Sequence, residues 1–260
     1  MKINISRDAR PQVRTLLFAA LLTNALWFIP FAEFLTYPFR IFVTFIHEGG
    51  HALAALLTGN SVASLSVAMN TSGETYTTNG GLLSQVIVSS AGYVGATAYG
   101  ALLLLLIRRA VQARIVLAGT AVFIFAMTAI YGFLVPLVHG MMSPFTILAG
   151  VLIPVGLLAV SRYASPRVAS FFVSFLAVQC ILNALFDLKT VFFLSSPLGV
   201  NAQTDAANMA NATGIPAIVW AVVWIAVSFV ILSAAMRLYS VNRSHASVQE
   251  DLPFEDATGI

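Results

Sequence analysis

Five stretches of this chain, Leu82 to Ile107, Ile115 to Val138, Pro144 to Val160, Val168 to Asp187 and Ile215 to Leu238, are almost unbroken apolar sequence. A helix needs about 20 such residues to cross a bilayer. In hydrocarbon every backbone N–H and C=O must find its partner inside the structure, which leaves helices and closed barrels as spanning forms. Long runs with little turn chemistry favour helices over the short alternating strands of a barrel. A sixth run extends from Thr15 to about Ala32 behind a basic head holding Lys2, Arg7, Arg10 and Arg14. It is long for a secretory signal and has no convincing small-x-small cleavage site, so it reads as an uncleaved helix. Only 9% of the residues are charged and 59% are hydrophobic, with a mean hydropathy of +0.90; a soluble domain carries about 25% charged residues. The expected fold is an all-α membrane protein, a polytopic bundle of six or seven transmembrane helices whose partner is the lipid bilayer. Residues 15–238 form one domain, between a basic segment, 1–14, and a polar, acidic-ended tail, 239–260, that reads as disordered.

The net charge of +3 does not argue for nucleic acid, because the basic residues fall at segment ends. Arg108, Arg109 and Arg114, then Arg162 and Arg167, then 237–243 fall on one side, which the positive-inside rule makes cytoplasmic. The basic N-terminus calls for that same side, yet three apolar segments separate it from Arg108. An odd number cannot return the chain, so one of the three is expected not to span fully, either the first or the next one described.

That segment, roughly Pro38 to Thr58, contains Ile46-His47-Glu48-Gly49-Gly50-His51-Ala52. Histidines four positions apart stand one helical turn from each other on the same face, where one tetrahedral metal ion can take both nitrogens. A glutamate directly after the first lies beside the metal and can take a proton from its water. Ionisable groups at membrane depth cost a few kcal/mol each unless they have a partner or a task. A helix pair merely satisfied by polar neighbours is the weaker account.

Residues 59–81 are different material. Ser61 to Met69 partly alternates, and Gly73 to Gly81 is rich in threonine and ends in turn residues, so a short β-hairpin is expected. A strand edge beside a hydrolytic site offers β-augmentation to an extended peptide, although a plain connecting hairpin reads equally well.

A catalytic zinc needs a third protein ligand and an open position. Residues at plausible depth are Glu33, His139, Cys180, Asp187 and Asp205. Asp187 ends an apolar run as Asn183-Ala-Leu-Phe-Asp187-Leu188, with Asn183 one turn before it, placed to orient a carboxylate or bind substrate. A helix-end aspartate at the water boundary is its bland alternative. Pairing with Arg40 accounts for Glu33, loop exposure or hydrogen bonding for His139, and packing among apolar neighbours for Cys180, which has no cysteine partner. Asp205, opening Thr204-Asp-Ala-Ala-Asn, reads as a helix N-cap.

With these residues in view the chain resembles the site-2-protease family of intramembrane zinc metallopeptidases. The string His47-Glu-Gly-Gly-His-Ala-Leu-Ala-Ala-Leu-Leu-Thr-Gly59 is similar to its compact bacterial, B-like branch. So are Ser90-Ala-Gly-Tyr-Val-Gly95, Asn183-Ala-Leu-Phe-Asp-Leu188 and Thr204-Asp-Ala with Thr213-Gly-Ile-Pro-Ala, Trp220 and Trp224. The resemblance implies His47, His51 and Asp187 as zinc ligands and Glu48 as general base. It also implies membrane proteins or peptides as substrates, and a bacterial cytoplasmic (inner) membrane location. Better-known members follow the aspartate with glycine, where Leu188 stands here, and no PDZ-like insertion is present. Asn183 is a candidate catalytic donor to the oxyanion.

Two other classes remain. A non-cleaving metal-binding scaffold would keep the bundle, but it does not need Glu48 beside the metal. A small-solute or metal-ion transporter would explain intramembrane polar residues, yet it predicts repeated halves that the sequence does not display.

Overall fold

The computed structural model describes residues 17–22, 25, 33–78, 80–109, 111–195 and 204–240. Residues 17–22 are helical, while the rest of the head, most of the first apolar run and the tail from 241 lie outside the described residues.

Helix α1 runs Glu33–Leu57, starting one turn ahead of the expected Pro38. Proline there removes only one N–H from the ladder near the helix start, so the turn before it stays helical. One face of α1 buries Ile41, Phe42, Phe45, Ile46, Ala52 and Ala55 in the main core. The hairpin forms as expected, with β1 (Val62–Val67) antiparallel to β2 (Gly73–Thr77) and a bulge between Val62 and Ser64. Val62, Leu65 and Val67 point into the core, and α1 ties down the turn. Tyr37 donates its hydroxyl to the Met69 carbonyl at 2.7 Å, and Thr44 donates to that of Thr71 at 2.8 Å.

The outer edge of β1 does not face solvent or lipid. The buried Thr146 hydroxyl accepts the Val67 N–H at 2.8 Å and donates to the Val67 carbonyl at 3.0 Å. A side chain thus imitates a neighbouring strand and closes that edge. Thr146 lies in the first turn of a later helix.

The run from Leu82 to Ile107 was expected as one helix and is two, α2 (Leu82–Ser90) and α3 (Tyr93–Arg108), bent by 52° at Ala91-Gly92. The break lands against α1 at the two histidines. Next come α4 (Ala113–Met127), a π-helical stretch Thr128–Leu134 and α5 (Val135–His139), together one continuous segment. Pro136 has no N–H to give to the carbonyl four residues back, and the helix widens ahead of it. Helix α6 (Pro144–Tyr163) opens on Ser143, whose side chain accepts from the Thr146 N–H. Helix α7 (Pro166–Leu194) threads the middle of the bundle, packing on α3 and α4. It continues well past Asp187, which is therefore mid-helix rather than at a helix end. Residues 189–194 are mostly apolar and simply carry the helix on.

Helix α8 (Asp205–Thr213) and helix α9 (Ala217–Ser240) complete the chain. Thr204 is the N-cap of α8, accepting from the Ala207 N–H at 3.2 Å, so Asp205 is the first helical residue rather than the cap expected from sequence. Ala206 and Met209 of α8 bury against Leu188, Val191, Ala221 and Trp224. Among the described residues four segments are long and apolar enough to cross a bilayer: α4–α5, α6, α7 and α9. The bent α2–α3 pair makes a fifth if it counts as one span; α1, with its ionisable residues, is not in the set. The protein is an integral membrane protein.

Candidate metal centre

One turn of α1 sets His47 and His51 side by side, their rings edge to face with centroids 4.8 Å apart. The His51 Nδ1–H donates to the Val88 carbonyl of α2 at 2.7 Å. A carbonyl can only accept, so in the neutral ring the Nε2 atom carries a lone pair. It points into the space shared with His47, whose Nε2 lies 3.0 Å away. Asp205 closes the triangle: its Oδ2 stands 3.3 Å from each imidazole Nε2.

Acceptor atoms do not converge in this way unless a proton or a cation sits among them. The spacing fits a cation. Ligand atoms about 2.0–2.1 Å from a tetrahedral zinc are separated from each other by about 3.3–3.4 Å, close to each edge of this triangle. The Val88 carbonyl behind His51 is the outer partner such ligands usually have.

The imidazole pair accounts for the glycine at position 92. A Cβ on Gly92 would collide with the Nε2 atoms of both histidines, so only a bare Cα can pass this close. The next residue, Tyr93, lays its ring edge to face on His47 at 4.6 Å and contacts Trp224. The Trp224 indole N–H donates to the Ser90 hydroxyl at 2.9 Å, tying α9 to the end of α2.

Glu48 is buried on the neighbouring position of α1 and meets β2. Thr75 donates its hydroxyl to Glu48 Oε2 at 2.7 Å. These groups open onto a cavity of about 1090 Å³, bounded by α1, the hairpin, α2, α7 and α8.

The structure brings His47, Glu48 and His51 together as the sequence suggests, and adds Asp205 to the imidazoles. Asp187 lines the same cavity but is not in the His47–His51–Asp205 cluster. Asn183 also lines the cavity and donates its amide group to the Gln179 backbone and side-chain oxygens at 2.9 and 3.1 Å. His139 is exposed at the end of α5, and Cys180 is fully buried in α7 beside Gly100; neither lines the cavity. The Glu33 side chain lies outside the described residues. Sequence reasoning passed over Thr75 and Gly73. For Asp205 a signal existed, the Thr204-Asp205 pair, but it reads equally well as ordinary helix capping.

Residues 16–235 match a family model described as Peptidase M50B-like, of the site-2-protease kind. No curated protein and no solved structure gives a match.

Proposed function

The chain belongs to the Peptidase M50B-like family, and from that premise we propose that it is a membrane-embedded zinc metallopeptidase. It hydrolyses peptide bonds of membrane proteins or peptides, in a bacterial cytoplasmic membrane. The observation that carries this reading is the triangle of His47 Nε2, His51 Nε2 and Asp205 Oδ2, with edges of 3.0 to 3.3 Å and Glu48 one residue from its first corner.

The two histidines and Asp205 would hold the metal. Zinc held there would supply Lewis acidity to the reacting groups. Glu48 would take a proton from the water that attacks the peptide carbonyl and pass it to the amine as the C–N bond breaks. Asp187 and Asn183 line the same cavity from α7. Asn183 can reach a developing oxyanion only by giving up one of its bonds to Gln179.

A helical substrate must unwind before its carbonyl is accessible. Strand β2 borders the cavity, and its edge away from β1 has no strand partner among the described residues. An unwound segment pairs with that edge. Proline substitutions along β2 that leave cleavage intact would remove this step from the account.

The test is zinc content after purification in mild detergent, paired with cleavage of a fluorogenic transmembrane peptide. One zinc per chain with cleavage that Glu48→Gln abolishes is the expected result. Zinc without cleavage under any condition would favour a non-cleaving scaffold, and a folded wild type without transition metal would overturn the metallopeptidase reading.

A further inference from the structure

We propose that Thr75 is a positioning residue for Glu48, which makes the hairpin part of the catalytic machinery as well as a place for substrate to lie. The inference rests on the peptidase reading above for its meaning, though the contact itself does not.

Glu48 is buried, 4% exposed, on a side chain with several rotatable bonds. A general base works only when its oxygen is held within hydrogen-bond reach of the proton it takes. Among the described residues the side chain that donates to this carboxylate is Thr75, at 2.7 Å to Oε2. The same hydroxyl lies 3.2 Å from the Glu48 backbone carbonyl. It has one proton, and the charged, closer acceptor takes it.

Gly73 completes the seat. It lies two residues before Thr75, on the same face of β2. A Cβ there would run into the Glu48 carboxylate, 2.6 Å from Cγ and 2.7 Å from Cδ. Thr75 therefore fastens one oxygen while the bare Cα of Gly73 makes room for the rest of the carboxylate.

The strand that does this is anchored. Thr75 pairs with Leu65 of β1. Leu65 is in the core, and β1 is fixed to α6 through Thr146 and Val67. Helix α1 thus brings the carboxylate, and a strand held through β1 to α6 as well as to α1 sets its direction. No local sequence rule links a threonine in a hairpin to a glutamate 27 positions earlier.

The variants are Thr75→Val, which keeps the shape and removes the proton, and Thr75→Ser, which keeps the proton. In zinc-loaded protein acting on the fluorogenic transmembrane peptide, Thr75→Val should lower kcat by about 10- to 100-fold, with KM within about twofold of wild type. Zinc content should not change, and Thr75→Ser should retain most of the rate. A second readout does not need turnover. The infrared carboxylate band assigned to Glu48, by difference against Glu48→Gln, should shift in Thr75→Val and stay in place in Thr75→Ser. Wild-type kcat in Thr75→Val overturns the proposal. So does a loss in Thr75→Ser as large as in Thr75→Val, which would mean packing, or a rise in KM alone, which would mean substrate contact. If the wild type cleaves nothing, the peptidase reading fails by itself. The infrared band then still decides, and an unshifted band in Thr75→Val overturns the role of Thr75.

Discussion

The Nδ1–H of His51 points at the carbonyl of Val88, 2.7 Å away across the interface of α1 and α2. That bond comes from the helix that ends at the Gly92 break, so the bend and the orientation of the imidazole belong to one arrangement. The same backbone path that leaves no space for a side chain at residue 92 turns the His51 Nε2 toward its partners.

Gly92→Ala is therefore expected to act on metal binding first. The added methyl meets both imidazole Nε2 atoms, and something must move. Zinc affinity should fall by about 10- to 100-fold, as when the partners behind metal ligands are disturbed, while the bundle stays folded. Competition with a chelator of known affinity measures the loss, and circular dichroism checks the fold.

The two aspartates give opposite expectations. Asp205→Ala should purify with little or no zinc, because one corner of the triangle is gone. Asp187→Ala should keep its zinc, since its carboxylate lies elsewhere on the cavity wall. Zinc analysis of the two variants side by side decides the third ligand, and the reverse outcome would assign it to Asp187.

Glu48→Gln separates binding from chemistry. It keeps the side chain's size and leaves the three metal-binding groups intact, so zinc should remain at about one per chain. Cleavage should fall by about 10²- to 10⁴-fold, the usual contribution of a general base. Chelation of the wild type should abolish cleavage and added zinc restore it, whereas Glu48→Gln should show no recovery.

Thr146→Val tests the closed strand edge. Removal of the hydroxyl leaves the buried N–H and C=O of Val67 without their partner. Each group left unpaired costs about 1–3 kcal/mol. Thermal unfolding in detergent should come several degrees earlier, and Thr146→Ser should recover most of the difference.

What sequence alone revealed follows from how local each signal is. His47, Glu48 and His51 are legible because one helical turn carries all three. The hairpin is legible because its threonines, glycines and partial alternation fall within 59–81. The break at Gly92 is not, because small residues are common in membrane helices and the imidazole pair it lands against is far away in the chain. Asp187 attracted attention by appearing to end an apolar run, but α7 continues to Leu194. Asp205 was legible as a helix start and not as a neighbour of His47. That contact depends on Ala206 and Met209 finding their place beneath Trp224, a fact of packing that no local pattern contains.

His47 and Asp205 lie 158 positions apart. During synthesis both histidines and Glu48 leave the ribosome long before the residues of α8. Until α8 follows, the nascent chain carries an imidazole pair without its carboxylate. The cluster is complete only when the last quarter of the polypeptide has packed against the first. The three groups thus meet only once the bundle around them is built.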